Sequence, residues 1–353
     1  MFSFLKKDKG AKVFVISIDG VPYSFMRKSI EEGHFPNFKR FLDHGDFKRM
    51  NSVQPTISSV AWSSYMTGKN PAKHNIFGFV DQKLGTHEIF IPTSVNMTSD
   101  TIWDIMSRAG KKIFVMNVPV TYPPRSVNGI MIGCFLCSQI EKIARPPAVS
   151  AELKKMGYKI DADAWIAREN LDKFLVEVNT TLEKRVEAMF YYMEKEDWDF
   201  FQTHIMETDR MNHFFWEHME HSDPKYTKAF FDFYKRVDEV LGEVDQKIND
   251  EVAFIVLSDH GFCTIKKEIY LNNYLVEAGL LKFRTTPPKS LDDMHPDSIG
   301  YSLIPGRVFV NLQGREPNGS VPQEQYEASR EKLSEVLLNL KEKDTGEPII
   351  REV

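Results

Sequence analysis

Four short groups of polar residues between Asp19 and His260 carry the side chains of this sequence that could do chemistry. Three of the groups hold carboxylates, two of them with a histidine, and the fourth offers a serine hydroxyl: Asp19, Ser58, Asp209 with His213, and Asp259 with His260. Carboxylate and imidazole ligands suit a zinc- or manganese-type ion, and a hydroxyl bound to such an ion can attack an ester. The pattern therefore predicts a metal-dependent enzyme that hydrolyses or transfers phosphate esters.

Each carboxylate group lies at or just beyond the end of an apolar segment that reads as a buried strand. The segments cover residues 13–16, 198–205 and 252–257, and they are followed in that order by Asp19, Asp209 and Asp259. Open α/β sheets place their active sites at the edge where the carboxyl ends of parallel strands meet. We therefore expect the three carboxylates to lie close together at one edge of a sheet.

Strand and helix patterns alternate along the first part of the chain, which predicts a mostly parallel sheet covered on both faces. Strands are predicted over residues 12–18, 113–116, 130–132, 198–205 and 252–257, the last as a central strand, and helices over 23–32, 36–42, 58–67, 101–109, 165–196 and 226–248. After residue 261 the composition shifts, and only a strand over 307–312 and a helix over 323–341 are predicted.

This order of elements predicts an α/β fold, a three-layer α/β/α sandwich with a mostly parallel central sheet. We expect a metal-binding core over residues 1–261 and an α+β insertion or incomplete C-terminal subdomain over residues 262–353.

The spacing within two of the groups is suited to metal ligands. Asp209 and His213 point to the same side if their segment is helical, although a surface ion pair has the same spacing. Asp259 and His260 can reach one ion only if the chain turns sharply, and Gly261 would allow that turn. The alternative for this second group is an ordinary strand exit whose Asp caps a helix.

Ser58 is expected to begin a helix. A helix N-terminus and a bound cation both lower the effective pKa of a hydroxyl, which would replace the general base of a Ser-His pair. Ser is also the commonest N-cap residue, which is the alternative. Four other hydroxyls compete for the role, of which the last two lie further into the helix: Thr56, Ser59, Ser63 and Ser64.

Two residues near the groups are expected to play other parts. His204 lies inside a predicted strand and is expected to be a core histidine or to support a ligand. Arg210 is expected to point away from its neighbour Asp209, so the sequence offers no compact basic motif beside the ligands.

Composition restricts the partners. The 353 residues carry a formal net charge of −5, and without a basic surplus no nucleic-acid polymer or membrane surface is expected as a partner. Three cysteines cannot form a disulfide framework and fit a reducing compartment; Cys134 and Cys137 are read as packed thiols. The first 12 residues do not have the order of a signal peptide. We therefore expect a cytoplasmic protein.

The order of the groups resembles the alkaline phosphatase superfamily, and most closely its type I phosphodiesterase/nucleotide pyrophosphatase family. The resemblance covers residues 13–20, 55–79, 203–216 and 255–262. Its most specific block is Pro55-Thr56-x-Ser58-x-Val60-Ala61-Trp62, followed by Thr67-Gly68-x-x-Pro71-x-x-His74.

The resemblance implies an alkaline-phosphatase-like fold with two divalent metal ions, expected to be zinc, with manganese as the alternative. One ion would be bound by Asp19, Ser58, Asp259 and His260, and the other by Asp209 and His213. It also implies that Ser58 attacks the phosphorus of a small phosphate ester and forms a covalent phospho-enzyme.

Two departures from the family pattern affect these expectations. The family's second metal has a further His ligand after a final core strand, and no such ending precedes Val353. We expect that the chain lacks the family's C-terminal end, or that another residue such as His295 substitutes. Nucleotide pyrophosphatases also carry an Asn downstream of the nucleophile; Phe79 stands there, and Asn75 is the alternative for binding the substrate.

Three other functions remain open on the sequence. The first two are a phosphomonoesterase and a phosphomutase of the same superfamily. A mutase would need further Arg or Lys residues to bind a second phosphate. A non-catalytic binding protein on the same fold is the third. A sulfatase is disfavoured because Ser58 is not followed by the Pro and Arg of that group.

Overall fold

A computed structural model describes residues 11–353. The chain forms two compact units, of which the first contains the residues up to Phe79 and Pro92–Thr264, and the second contains Val80–Ile91 and Ile265–Val353. The sequence predicted a boundary after residue 261, but it gave no signal that Val80–Ile91 belongs with the C-terminal residues. Over the described residues, no helix combines the length and the apolar composition needed to cross a membrane.

The strands over residues 11–353 are, in chain order, β1 (Lys12–Ile18), β2 (Asp81–Gln82), β3 (Ile89–Phe90), β4 (Ile113–Met116), β5 (Gly129–Ile132), β6 (Ala144–Arg145), β7 (Phe200–Ile205), β8 (Val252–Leu257), β9 (Gly300–Tyr301) and β10 (Phe309–Val310). The α-helices of the same residues are α1 (Tyr23–Glu31), α2 (Pro36–His44), α3 (Ser58–Thr67), α4 (Pro71–His74), α5 (Ile102–Arg108), α6 (Pro147–Lys155), α7 (Ala164–Glu169), α8 (Leu171–Lys195), α9 (Glu207–Glu220), α10 (Tyr226–Lys247), α11 (Leu271–Glu277) and α12 (Tyr326–Leu338).

The first unit is built on a six-stranded sheet with the strand order β6-β5-β4-β7-β1-β8. All neighbouring strands are parallel except β5 and β6. The mostly parallel sheet that the sequence predicted is therefore confirmed. In β1, Ile18 is in register with Ile205 of β7, and Ser17 with Leu257 of β8. The carboxyl ends of these three strands consequently lie side by side.

Helices cover both faces of this sheet, which confirms the predicted three layers. Side chains alternate between the faces of a strand, so Phe14 and Ile16 of β1 face one way and Val15 the other. The first pair packs in the larger apolar cluster, which includes residues of α1, α2 and α8 to α10. Val15 belongs to a second cluster with Trp62 of α3 and Trp103 of α5.

Two predicted elements of the first unit differ in the structure by more than their bounds. The apolar run of β8 predicted a central strand, but among the described residues β8 lies at an edge of the sheet, and Ile255 is 45% exposed. A continuous apolar run does not distinguish an edge from a centre. The single helix predicted over 165–196 is two helices, because Asn170 has an extended backbone and its side chain caps the start of α8.

The second unit has its own apolar core, in which Leu281 and Tyr301 are fully buried. It contains two antiparallel strand pairs, β2 with β3 and β9 with β10. The β2–β3 hairpin is attached through Gln82, whose Nε2 donates to Tyr301 Oη at 2.8 Å and to Glu316 Oε2 at 2.9 Å. The strand predicted over 307–312 is reduced to Phe309–Val310, and the helix predicted over 323–341 ends at Leu338.

Candidate active site

The three predicted carboxylates come together where β1, β7 and β8 end. Asp19 directly follows β1, Asp259 follows β8 by two residues, and Asp209 is the third residue of α9, which follows β7. One ligand atom each from Asp19, Asp209 and His260 lie within 4.8 Å of one another. The parallel register of the strands thus brings residues that are far apart in the sequence into one cluster.

Asp19 is fully buried, and its two oxygens have different surroundings. Oδ2 accepts a hydrogen bond from Trp62 Nε1 at 2.9 Å and lies 3.0 Å from His204 Nε2. Oδ1 is left to face Ser58 and His260, at 3.0 and 3.6 Å. Burial acts to raise the pKa of Asp19, but the adjacent imidazoles of His204 and His260 and the hydrogen bond from Trp62 together outweigh it, so the pKa is lowered. His204 is therefore a buried histidine that contacts Asp19, the residue predicted as a ligand.

Ser58 is the first residue of α3 and is almost fully buried. Its Oγ donates to Asp19 Oδ1 at 3.0 Å and lies 2.9 Å from His260 Nε2. The helix N-terminus carries partial positive charge, which favours a hydroxyl that loses its proton. Ser58 thus has both a nearby proton acceptor and a setting that stabilises an oxyanion.

None of the four competing hydroxyls forms a hydrogen bond with the carboxylates among the described residues. Thr56 lines the same cavity, but its hydroxyl donates to a backbone carbonyl. Ser64 is 3.0 Å from the buried ring of His74, so this histidine of the family-like block packs inside the protein. Ser59 and Ser63 are buried without a hydrogen-bond partner among the described residues.

Asp259 and His260 lie beside Asp19, with Asp259 Oδ2 and His260 Nε2 as the atoms that face the carboxylate cluster. Asp259 Oδ1 accepts from the backbone N–H of Gly20 at 3.0 Å, and Oδ2 lies 3.4 Å from His260 Nε2. His260 Nδ1 is 2.8 Å from the carbonyl oxygen of Gly261. A hydrogen on Nδ1 satisfies that oxygen, and the lone pair of Nε2 then faces Ser58 and Asp19, as a metal ligand requires.

Asp209 and His213 lie one turn apart on α9, as their spacing predicted. Asp209 is buried, whereas the His213 side chain is 55% exposed, and His213 Nε2 is 3.4 Å from Asp209 Oδ1. The start of α9 is attached to the end of β1, because Thr208 Oγ1 donates to the carbonyl oxygen of Asp19 at 2.7 Å. The face of α9 that carries Asp209 and His213 therefore runs from the buried carboxylate cluster to the protein surface.

Gly20 is the glycine that the cluster requires. Its φ is +68°, and a Cβ atom there would lie 3.1 Å from Asp209 Oδ1 and 3.3 Å from His260 Cε1. The sequence had instead predicted that Gly261 supplies the critical turn. That expectation is wrong, because Gly261 does not have a positive φ and a Cβ there would meet its nearest neighbour at an ordinary 3.7 Å.

The cluster fits a bound cation. Asp259 Oδ2 is buried and has no hydrogen-bond partner among the described residues. Burial, together with repulsion from Asp19, raises the pKa of Asp259 to about 8. Three crowded carboxylates and an imidazole with an available lone pair form a donor set that divalent ions bind. A cation would supply both the missing partner and the missing positive charge.

A cavity of about 650 Å³ opens over these residues, within the usual size range of small-molecule sites. Its wall combines the polar cluster with apolar and aromatic side chains: Thr56, Ile57, Ser58, Phe79, Phe135, Met206, Asp209, Arg210, His213, His260, Gly261, Phe262 and Cys263. The cavity places Ser58 at the surface that a small molecule would contact.

Arg210 also lines this cavity, contrary to the expectation from the sequence. Its Nη1 lies 3.2 Å from Asp209 Oδ2, and its Nη2 donates to Asp161 Oδ2 at 2.6 Å. Adjacent residues on a helix do not face each other at Cβ, but the long arginine side chain bends back towards its acidic partners. The attraction of Asp161, which is distant in sequence, could not be read from the motif.

A buried ion pair connects α8 to the start of α9, and the sequence analysis did not predict it. Arg185 of α8 and Glu207, the first residue of α9, have side chains that are 1% and 0% exposed. Arg185 binds both carboxylate oxygens of Glu207 and the carbonyl oxygen of Ile160. A charged residue within the apolar face of a predicted helix was the available signal.

Asn75 and His295 are not brought into the cluster. Asn75 ends α4 with a φ of 64°, and its side-chain amide donates to the carbonyl oxygen of Asn96 at 3.1 Å. It is not one of the residues that line the cavity. His295 belongs to the second unit, where its Nδ1 accepts from the backbone N–H of Asp297.

Comparison with known proteins links this geometry to a family. The family model described as type I phosphodiesterase / nucleotide pyrophosphatase matches residues 13–352. Among curated proteins, none matches the chain.

Several solved structures have a similar fold. Phosphonoacetate hydrolase from Sinorhizobium meliloti 1021, in complex with phosphonoacetate, has a TM-score of 0.55 and 17% identity over 76% of this chain and 62% of its own. The complex of the same enzyme with phosphonoformate has a TM-score of 0.57 and 17% identity, over 81% of this chain and 67% of its own. An inactive murine ectonucleotide pyrophosphatase / phosphodiesterase 5 in complex with AMP has a TM-score of 0.49 and 18% identity, over 77% of this chain and 63% of its own. The chain thus spans less than two thirds of the first of these proteins.

Proposed function

The chain belongs to the type I phosphodiesterase/nucleotide pyrophosphatase family, and we propose that it is a metal-dependent phosphoric ester hydrolase in which Ser58 is the nucleophile. The observation that carries the proposal is the position of Ser58 Oγ, 3.0 Å from Asp19 and 2.9 Å from His260. A serine hydroxyl at a helix N-terminus, beside a buried set of metal-type ligands, is the arrangement that this chemistry needs.

Two divalent ions, zinc or manganese, are part of the proposal. Asp19, Ser58, Asp259 and His260 would hold one ion, and Asp209 with His213 would hold the other. When bound, the ions supply positive charge that lowers the pKa of the serine hydroxyl and offsets the negative charge of the phosphoryl group. The unpartnered Asp259 oxygen and the position of His260 Nε2, 3.6 Å from Asp19 Oδ1 and 3.4 Å from Asp259 Oδ2, support this assignment.

In the proposed reaction, Ser58 Oγ loses its proton and attacks the phosphorus in line with the ester bond. The bond between phosphorus and the leaving oxygen breaks, and the oxygen departs with the bonding electrons. A phosphoserine forms, and water then attacks it and restores the hydroxyl. Asp19 Oδ1 accepts a hydrogen bond from Oγ and orients the hydroxyl, and the proton passes to water, because the lone pair of His260 Nε2 would be engaged by the ion.

The rigid setting of Asp19 supports its part in this reaction. Trp62 and His204 hold one of its oxygens, so the other keeps a fixed direction towards Ser58. Groups that are already oriented need no rearrangement when charge develops during reaction. The helix start at Ser58 adds a fixed positive potential at the same place.

Small phosphate esters are the proposed substrates. The cavity of about 650 Å³ accommodates a compact molecule. A formal net charge of −5 offers no general attraction for a nucleic-acid polymer. The cysteines Cys134, Cys137 and Cys263 are all free, which supports a reducing compartment such as the cytoplasm as the place of action.

Replacement of Ser58 by Ala tests the nucleophile. We expect hydrolysis of a para-nitrophenyl phosphate ester to fall by at least about 100-fold, while the metal content of the protein is unchanged. Ser59→Ala is the matched control, because Ser59 is the next residue of α3, its buried hydroxyl has no hydrogen-bond partner among the described residues, and it does not line the cavity. Acid quenching of the reaction should trap phosphate on Ser58. Unchanged turnover of Ser58→Ala would assign the nucleophile to another residue.

A further inference from the structure

Arg210 forms an ion pair with Asp161 and at the same time lines the cavity. Its guanidinium is held by Asp161, with Nε 3.2 Å from both carboxylate oxygens and Nη2 2.6 Å from one of them. The same group lies 5.4 Å from the centre of the Phe135 ring. Asp161 and Phe135 together fix the plane of the guanidinium, and yet the side chain remains part of the cavity wall.

The fixed guanidinium keeps hydrogen-bond donors available. An arginine side chain has five N–H groups in a planar fork. Among the described residues, Asp161 accepts from Nε and from one N–H of Nη2, and Asp209 accepts from one N–H of Nη1. One N–H on each terminal nitrogen is then left without an acceptor. N–H groups on the two terminal nitrogens of an arginine can bind the oxygens of a carboxylate or phosphate group.

Arg210 is also the sole lysine or arginine among the residues that line the cavity. The guanidinium of an arginine is positive throughout the physiological pH range. The remaining wall near it includes Phe79 and Phe135, which pack edge to face with centres 5.6 Å apart. Aromatic side chains offer no donor for a negatively charged oxygen, and Arg210 is the one permanently cationic side chain among the residues that line the cavity.

We propose that Arg210 is a specificity residue, whose two available N–H groups bind a second negatively charged oxygen of the substrate. The preferred substrates are then phosphoric esters with two negative charges rather than one. The second charge is either on the phosphoryl group, as in a monoester, or on a carboxylate carried by the ester substituent. This inference rests on the proposed function, because it assumes that the phosphoryl group lies beside Ser58 in the same cavity.

Three para-nitrophenyl esters separate these cases. The simple phosphate monoester carries two charges on the phosphoryl group, the carboxymethyl diester carries one there and one on a carboxylate, and the methyl diester carries one in total. In Arg210→Met, we expect kcat/KM to fall about 10- to 100-fold more for a doubly charged ester than for the methyl diester, as for loss of a charge-assisted hydrogen bond. The ester that suffers this loss identifies the source of the second charge.

Matched variants separate recognition from folding. Arg168→Met removes an exposed arginine that stacks on Trp165 and is not part of the cavity wall, so it should leave all three rates unchanged. Arg210→Met leaves Asp161 unpaired, and Arg210→Met with Asp161→Asn avoids that isolated charge. Arg210→Lys should restore part of the lost rate, because it returns the charge without the planar fork.

A binding measurement keeps the inference testable if turnover is not detected. In the Ser58→Ala protein loaded with zinc, calorimetric titration compares inorganic phosphate with dimethyl phosphate. Substitution of Arg210 by Met should weaken phosphate binding about 10- to 100-fold and dimethyl phosphate binding less than about threefold. If the wild-type protein hydrolyses none of the three esters but this binding pattern is found, the proposed hydrolase activity is refuted, whereas the binding of a doubly charged phosphate by Arg210 is supported.

Two results would overturn the inference. Equal losses for all three esters, together with a lower metal content of Arg210→Met, would show that Arg210 acts only by positioning Asp209. A wild-type protein that hydrolyses the methyl diester more efficiently than both doubly charged esters would refute the preference itself.

Discussion

The buried pair of Arg185 and Glu207 gives a sharp test of how the site is held in place. Replacing Arg185 by Met removes the guanidinium and leaves Glu207 with a side chain that is 0% exposed. The carboxylate then loses three contacts of 2.6, 2.9 and 3.0 Å. Because a buried charge without its partner is costly, we expect the free energy of unfolding to fall by about 3–5 kcal/mol.

The double variant Arg185→Met with Glu207→Met separates the cost of an isolated charge from the value of the pair. Replacing both partners of a buried pair by apolar residues of similar size is often neutral or stabilising. We therefore expect the double variant to unfold within about 1–2 kcal/mol of the wild type. The two substitutions should consequently be strongly non-additive, since the residues are in direct contact.

Urea unfolding of the metal-free proteins measures these free energies. Arg236→Met is the matched control, because that side chain is 25% exposed and pairs with exposed glutamates, so its loss should cost about 1 kcal/mol or less. A loss below about 1 kcal/mol for Arg185→Met, or a double variant as unstable as the sum of the single variants, would refute the reasoning.

Three further predictions concern the cluster itself. Gly20→Ala should destabilise the protein by at least about 1–2 kcal/mol in urea unfolding, because an alanine in the left-handed region is strained, and it should also weaken zinc binding, because its Cβ approaches Asp209. Trp62→Phe should weaken zinc binding in a competition titration, because Asp19 Oδ2 loses its 2.9 Å hydrogen bond. Asp259→Asn should lower zinc affinity at least about tenfold, because an amide offers the ion no charge.

Each of these predictions has a matched control. The backbone of Gly261 does not have a positive φ, and a Cβ there would make only ordinary van der Waals contacts. Gly261→Ala should therefore leave the free energy of unfolding nearly unchanged. Trp103→Phe removes another fully buried indole, but one whose Nε1 has no partner among the described residues. Asp197→Asn changes an exposed carboxylate. Zinc affinities of the site variants that equal those of their controls would contradict the ligand assignment.

The sequence predicted the fold because the signals for it are local. The apolar runs that became β1, β4 and β8 are continuous, and each ends at a polar or glycine-containing turn. The edge where ligands collect follows from parallel strands alone. By contrast, the position of β8 in the sheet and the place of Val80–Ile91 depend on contacts between distant segments, which no local pattern encodes.

The same distinction applies to the site. Asp19, Ser58 and His260 could be named because their residue types and positions after strands carry the chemistry. The directions of side chains could not be predicted. Arg210 lines the cavity because Asp161, which is distant in sequence, attracts it. Trp62 was visible only as part of a motif, and its hydrogen bond to Asp19 required the structure.

The metal content of the purified chain tests the central claim most directly. Elemental analysis after dialysis against trace zinc and manganese should give about two ions per chain, as a two-metal phosphoryl-transfer site requires. The Asp259→Asn and Asp209→Asn variants should each contain less metal, whereas Asp197→Asn should match the wild type. A protein that binds no divalent ion under these conditions would contradict the account.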